Sequence, residues 1–127
     1  MITLRPMRME EEPFVVSSWF ASFRNSHHKD MDFDAYKEGM NRQITRLLEK
    51  SNVLVASLVE VPDEVLGYAI LEGEACHWVY VKSTYRKQHV AKALLSNVRT
   101  YSLKPKTKSA KAMVESLSLK FNPFTRE

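Results

Sequence analysis

Hydrophobic residues in the first fifty positions recur at helical spacing. Apolar side chains three or four residues apart follow an acidic turn that complements a helix dipole, and they predict a helix over residues 10–25. A second amphipathic stretch begins after Asp32 or Asp34, either of which can cap it, and ends near Lys50. The sequence therefore predicts two consecutive helices, preceded by a short alternating strand at Ile2–Pro6.

Apolar runs in the middle of the chain predict a sheet. Residues 53–60 and 65–71 are rich in strand-forming side chains, and a proline-containing turn at 61–64 joins them. So short a connection requires antiparallel pairing. Gly73 lies in a second tight turn that leads into an apolar strand at 76–81. These three strands are predicted to form a meander.

The last third continues with alternating helices and strands. We expect a helix that ends near residue 97, a strand at 99–103, a lysine-rich helix at 106–117 and a last strand at 119–124. The order is β-α-α-β-β-β-α-β-α-β, an α+β, three-layer fold with a mixed, mostly antiparallel sheet. A chain of 127 residues that is 44% hydrophobic fits one domain, 1–127.

Composition argues against several classes of protein. The amino-terminal stretch has no apolar signal-peptide core, and no apolar run reaches the roughly 18 residues of a membrane span, which predicts a cytoplasmic protein. The single cysteine, Cys76, lies in an apolar strand, so we expect a reduced core residue rather than a reactive thiol. His27 and His28 have no further ligand at helical spacing, so no metal site is predicted.

The net charge of +4 hides an asymmetry along the chain. Residues 1–81 carry eight Lys and Arg against thirteen Asp and Glu, whereas residues 82–127 carry eleven against two. The phosphates of a nucleotide cofactor or of a nucleic acid would both explain a basic last third. A lysine-rich surface that serves only solubility is the third interpretation.

A basic turn precedes the helix that follows strand 76–81. The apolar pattern stops at Lys82, and Arg86, Lys87 and Gln88 supply donors directly before the helix. The first N–H groups of a helix lack intrahelical partners and carry the positive end of its dipole, so such a turn can hold a phosphate. The pattern predicts an anion site.

The same segment resembles the acyl-CoA signature of the GCN5-related N-acetyltransferase (GNAT) superfamily, a V-x-V strand followed by R/Q-x-x-G-x-G/A and a helix. The matching residues are Val79, Val81, Arg86, Lys87, Gln88, His89, Val90 and Ala91. His89 departs from the pattern, since it stands at the first glycine. The element order resembles the superfamily over nearly the whole chain, and the tail at 122–124 resembles that of small bacteriophage-encoded members.

The resemblance implies an enzyme that moves an acetyl group from acetyl-CoA to an amine without a metal. Strands 76–81 and 99–103 would splay apart to admit acyl-CoA. The backbone N–H groups of Val79 and Val81 would polarise the thioester carbonyl, and the loop would bind the pyrophosphate of coenzyme A. A side chain at His89 would weaken that binding, because glycine allows backbone conformations that a Cβ obstructs.

Catalytic candidates surround the start of the signature strand. A base must take a proton from the amine, and the candidates are Glu72, Glu74 and His77. In the superfamily a tyrosine on the last helix protonates the thiolate, but Val114 stands at that position and Ser118 at the glycine after it. Tyr101, on the opposing strand, would either replace this tyrosine or serve as a core residue.

A second hypothesis follows from the missing glycine and tyrosine. The protein would keep the acetyltransferase scaffold but act as a binding protein, engaging nucleic acid or a host protein through its basic last third. Arg42, Arg46 and Lys50 form a basic row on the second helix, which is either a solvated face or a contact surface. The acceptor amine and the oligomeric state, including a homodimer, are left open.

Overall fold

Every predicted helix and strand forms in the computed structural model, which describes residues 1–86 and 89–126. The strands are β1 (Ile2–Pro6), β2 (Asn52–Leu58), β3 (Gly67–Glu72), β4 (Ala75–Val81), β5 (Thr100–Tyr101) and β6 (Lys120–Phe121). The helices are α1 (Glu12–His27), α2 (Phe33–Lys50), α3 (Val90–Leu94) and α4 (Lys108–Ser116). Short 3-10 helices lie at Met9–Glu11, Ser83–Tyr85 and Pro123–Arg126. The predicted element order is confirmed.

Local side-chain contacts set where the two long helices begin. Asp32 caps α2, because its Oδ2 accepts a hydrogen bond from the Ala35 N–H at 3.0 Å. A 3-10 turn precedes α1, and the Glu11 carboxylate holds it by accepting from the Arg8 N–H at 2.8 Å and from Arg5 at 2.6 and 2.8 Å. Helix α1 therefore begins two residues later than predicted.

The sheet is mixed, with the strand order β1-β2-β3-β4-β5-β6. The pairs from β1 to β4 are antiparallel, which confirms the meander, and β4–β5 and β5–β6 are parallel. Parallel pairs need crossover connections, and α3 and α4 supply them. Gly73, at φ +58°, makes the tight turn between β3 and β4.

Two hydrophobic cores lie on opposite faces of the sheet. Side chains of α1 and α2, such as Trp19 and Leu47, pack on the β3 residues Tyr68 and Ile70. The second core joins α3 to the other face and includes Cys76, which is 6% exposed and whose pKa burial raises to about 12. Cys76 is therefore the core residue that the sequence predicts, and the sheet with helices on both faces confirms three layers.

Several elements of the last third are shorter than predicted. Helix α3 ends at Leu94 rather than near residue 97, because Leu95–Asn97 close into tighter turns. Strands β5 and β6 pair over only two residues each. Helix α4 begins at Lys108, where the Thr107 hydroxyl caps the Ala110 N–H at 3.2 Å. Among the described residues, no helix is long and apolar enough to cross a membrane.

Candidate active site

Strands β4 and β5 pair only at one end. Ala75 and Cys76 lie beside Thr100 and Tyr101, and the Ser102 N–H donates to the Cys76 carbonyl at 3.1 Å. Beyond that bond β4 continues to Val81, whereas the chain after Ser102 leaves the sheet. The two strands bound a wedge whose apex is at Cys76 and Ser102 and whose mouth is at Val81. The splayed cleft that the sequence predicts is thus present.

The second half of β4 directs its backbone groups into this wedge. The Lys82 N–H donates to the Leu66 carbonyl on the β3 side at 2.9 Å. Successive residues of a strand turn their backbone groups to alternate edges, so Val81 and Val79 turn theirs to the wedge. The Arg86 Nε–H confirms this direction, since it donates to the Val81 carbonyl at 3.2 Å. The backbone N–H groups of Val79 and Val81 therefore line the wedge.

Two residues that are not glycine adopt a left-handed backbone conformation that glycine favours. His89, directly before α3, has φ +63°, and Ser118, after α4, has φ +54°. The left-handed region costs a residue with a Cβ about 1–2 kcal/mol. The resemblance places a glycine at both positions, at His89 as the first glycine of the signature and at Ser118 as the glycine that follows the tyrosine position of the last helix. The backbone at both residues therefore keeps the shape that glycine normally allows.

The other described residues of the predicted loop differ in the exposure of their side chains. Arg86 is exposed, whereas Val90 is buried in the second core and Ala91 is also buried. A ligand at the loop would therefore meet the backbone of Val90 and Ala91 rather than their side chains. Lys87 and Gln88 lie outside the described residues.

A β-bulge places His77 beside the side chains of Glu72 on β3 and of Ser102, which is 25 residues away in sequence. Ile70 of β3 pairs with Trp78 and Leu71 pairs with Cys76, which leaves His77 as the extra residue. Its ring is 1% exposed. Nε2 lies 2.9 Å from Glu72 Oε1, and Nδ1 lies 2.7 Å from Ser102 Oγ.

The hydrogen positions in this cluster follow from its donors and acceptors. Burial lowers the pKa of His77, so the ring is neutral at pH 7. The Glu72 carboxylate can only accept, so Nε2 carries the hydrogen, and Nδ1 accepts from the Ser102 hydroxyl. The bond from His77 lowers the pKa of Glu72, and Lys50 Nζ, 3.5 Å from Glu72 Oε1, adds to this effect. Glu72 is therefore ionised.

Arg126, from the last 3-10 helix, completes the cluster. Its Nη1 donates to the His77 carbonyl at 2.8 Å and to the Ser102 hydroxyl at 3.1 Å, and Nη2 donates to Gln43 Oε1 at 3.2 Å. The side chain is 8% exposed, and burial lowers its pKa to about 10. Sequence reasoning missed Arg126, because no local pattern links a basic residue of the tail to β4.

The basic row of α2 holds the same tail in place. Arg46 donates to the Arg126 carbonyl at 3.3 Å, and Lys50 Nζ donates to the Thr125 carbonyl at 2.8 Å. Arg42, in contrast, is exposed and pairs with Glu38 within the helix at 2.9 Å. This row is therefore not only a solvated face, since two of its members bind backbone carbonyls of the chain itself.

The other two catalytic candidates lie apart from His77. Glu74 is exposed in the β3–β4 turn and pairs with Arg99 at 3.3 Å. Tyr101 is half-buried, and its ring centroid lies 5.4 Å from that of Phe121. Because the neighbouring Ser102 faces His77, Tyr101 faces the opposite side of the sheet, which α3 covers. No group of three His, Cys, Asp or Glu in the described chain is arranged to hold a metal ion.

Solved structures share this architecture. YycN from Bacillus subtilis aligns with a TM-score of 0.75 at 16% identity, over 94% of this chain and 92% of that chain. An acetyltransferase of the GNAT family from Staphylococcus aureus aligns with a TM-score of 0.61 at 14% identity, over 91% and 81%. This chain has the GNAT fold. No protein-family model matches the sequence, and no curated protein matches it.

One further structure of the GNAT fold contains a coenzyme A derivative. AAC(6')-Iy, in complex with the bisubstrate analogue CoA-S-monomethyl-acetylneamine, aligns with a TM-score of 0.54 at 13% identity, over 94% of this chain and 91% of that chain. Identities this low establish the fold alone. The individual site residues and the resemblance of the tail to phage-encoded members stay predictions.

Proposed function

We propose that this protein is an N-acetyltransferase that moves an acetyl group from acetyl-CoA to an amine. The observation that carries the proposal is the edge of β4 in the wedge, where Val79 and Val81 present backbone N–H groups. The amide-containing arm of coenzyme A can pair with such an edge as an added strand would. The CoA-linked analogue bound to AAC(6')-Iy, which has the same fold, supports this proposal.

The phosphates of coenzyme A would lie at the mouth of the wedge. Arg86 is exposed there, next to the loop that leads into α3. The excess of basic residues over residues 82–127 would attract a ligand with several phosphates. The left-handed backbone at His89 supports the same placement, since this position has a backbone conformation that glycine favours.

Glu72 is the base that the geometry favours among the three candidates. His77 is buried and both of its ring nitrogens are engaged, so its role would be to hold Glu72 in place. The Glu72 side chain is 37% exposed and its lowered pKa keeps it ionised, so it can attract an ammonium group and accept its proton. Glu74 is already paired with Arg99 on the outer turn.

The transfer itself forms one bond and breaks one. The deprotonated amine attacks the thioester carbonyl, whose oxygen would accept a hydrogen bond from the Val79 N–H. The new C–N bond forms, the nitrogen gives up its extra proton to solvent, the C–S bond breaks, and its electron pair leaves with sulfur. Tyr101, on the α3 side of the sheet, would give its hydroxyl proton to this thiolate, because Val114 has no proton to give.

Calorimetric titration with coenzyme A and acetyl-CoA tests the proposal. We expect saturable binding, release of free thiol when an amine acceptor is added, and a loss of about 1–3 kcal/mol in binding free energy for Arg86→Ala. Arg42→Ala, which removes an exposed arginine far from the wedge, is the matched control. If folded protein binds neither ligand at millimolar concentration, the proposal is wrong.

Other sequence predictions need separate tests. The fold neighbours with printed activities are acetyltransferases, which does not favour the binding-protein hypothesis. Salt-sensitive binding of DNA or RNA, without binding of coenzyme A, would reverse this preference. A cytoplasmic location, a phage-encoded origin and a homodimer stay predictions, and the acceptor amine is unidentified.

A further inference from the structure

The charge of Arg126 is buried at the apex of the wedge among neutral groups. Its hydrogen-bond partners are the His77 carbonyl, the Ser102 hydroxyl and the Gln43 amide oxygen. No described carboxylate forms an ion pair with it, although the side chain is only 8% exposed. A buried charge is costly unless an opposite charge accompanies it. The site is therefore one that an anion would stabilise.

The guanidinium also retains hydrogen-bonding capacity. It has five N–H groups, and the three hydrogen bonds from Nη1 and Nη2 use three of them. The Nε–H and one N–H of Nη2 have no partner in the described part of the chain. Two N–H groups of one guanidinium match the two oxygens of a carboxylate, which is the pairing that arginine forms most specifically.

The direction in which coenzyme A would lie brings its acyl end to this guanidinium. With the phosphates at the mouth and the thioester carbonyl at Val79, the acyl chain has to continue toward the apex. A strand rises about 3.3 Å per residue, so the His77 carbonyl that Arg126 binds lies on the order of 7 Å further along β4. A group two or three carbons beyond the thioester carbonyl would span this distance.

We propose that the preferred acyl group carries a terminal carboxylate, as in malonyl-CoA or succinyl-CoA, and that Arg126 selects it. This inference rests on the coenzyme A-dependent transfer proposed above. It keeps the same reaction and changes the preferred donor from acetyl-CoA to an acyl-CoA with a terminal carboxylate. The bond changes are the same: the C–N bond forms, the C–S bond breaks, and the distal carboxylate enters the product unchanged. An acetyl group would leave the guanidinium without an anion.

The unmodified protein gives the first test. Calorimetry and steady-state rates compare succinyl-CoA with butyryl-CoA, which has a chain of the same length without the carboxylate, and with acetyl-CoA and free coenzyme A. We expect succinyl-CoA or malonyl-CoA to exceed butyryl-CoA in affinity and in kcat/KM by about tenfold or more, as for a charge-assisted hydrogen bond. Equal values for these donors, with normal binding of free coenzyme A, would overturn the inference alone. Absence of binding by free coenzyme A would overturn the proposed function as well.

Variants of Arg126 give the second test. Arg126→Gln should reduce the preference for succinyl-CoA over butyryl-CoA to about twofold or less, and Arg126→Lys should reduce it partly. Both variants should bind free coenzyme A as the wild type does. Arg46→Gln is the control, because Arg46 contacts the same tail through the Arg126 carbonyl and leaves the guanidinium in place. Circular dichroism checks folding. If folded Arg126→Gln keeps the wild-type preference for succinyl-CoA over butyryl-CoA, Arg126 does not select the donor. If this variant fails to fold, the comparison of donors with the wild-type protein tests the inference.

Discussion

His77 Nε2 lies 2.9 Å from Glu72 Oε1, across the turn between β3 and β4. The bulge in β4 makes this contact, because it adds one residue opposite Leu71 and turns the imidazole toward the end of β3. A neutral ring that donates from Nε2 keeps the carboxylate ionised and fixed in orientation.

Replacing Glu72 by Gln tests its role as the base. We expect kcat to fall by about 10²–10⁴-fold with little change in the affinity for acetyl-CoA, because the carboxylate is needed only when the amine loses its proton. The pKa of Glu72 lies below its usual 4.5. Protonation of Glu72 should therefore reduce the wild-type activity only below pH 4.5. Glu74→Gln, on the exposed turn, is the control. Equal rates for Glu72→Gln and wild type would exclude Glu72.

The neutral state of His77 has a consequence for stability. The pKa of His77 in the folded protein lies below the usual 6.5, so the unfolded chain binds the proton more readily. The contribution of the neutral ring to the free energy of unfolding is therefore present above pH 6.5 and is lost as the pH falls below this value. Urea denaturation should show a free energy of unfolding that decreases from pH 7 to pH 5, with a smaller decrease in His77→Gln. An unchanged slope in His77→Gln would mean that folding does not lower the pKa of His77.

The bond between Glu11 and Arg5 should stabilise the start of α1. Glu11→Gln is expected to lower the free energy of unfolding by about 1.5–3 kcal/mol at pH 7, the range for hydrogen bonds to charged groups. The Arg5 side chain lowers the pKa of Glu11, so this contribution is present above pH 4.5 and is lost as the pH falls through the folded pKa. Glu10→Gln, at an exposed position, should change stability little. A similar loss in both variants would contradict a specific role for Glu11.

Glycine at position 89 tests whether the loop binds phosphate despite its histidine. The φ of +63° is unfavourable for His89, so His89→Gly should tighten coenzyme A binding by up to about 1 kcal/mol. Ser118→Gly relieves a similar conformation, at φ +54°, away from the loop, and should leave this affinity unchanged. Weaker binding by His89→Gly below pH 6.5 would mean instead that the imidazole contacts a phosphate.

Tyr101→Phe tests the proton donor. If the hydroxyl serves the departing thiolate, kcat should fall while the affinity for acetyl-CoA is kept, because the interaction exists mainly in the transition state. The ring contact with Phe121 does not involve the hydroxyl, so thermal denaturation should show little change in stability. The same kcat for both proteins would leave Tyr101 as a packing residue.

Local sequence patterns were enough to predict the helices and strands, whereas the wedge was predicted from the resemblance to a known family. Helix starts depend on side chains within a few residues, as the bond from the Ala35 N–H to Asp32 illustrates, and a short turn allows only antiparallel pairing. Val79 and Val81 were assigned to the cleft by the resemblance to a known signature, and their role in binding stays a prediction. The predictions of the elements succeeded because each depends on neighbours in the chain.

Only the tertiary structure decided which residues surround His77 at the candidate site. Nothing in the apolar run at 76–81 reveals that His77 is the extra residue of a bulge, because a bulge depends on the register of the partner strand. The bonds of Arg126 to His77 and Ser102 join residues 49 and 24 positions apart. Such contacts exist only after the sheet and α2 have packed, because this packing brings the donors of the tail to the acceptors on β4. The same burial makes an unpaired charge costly.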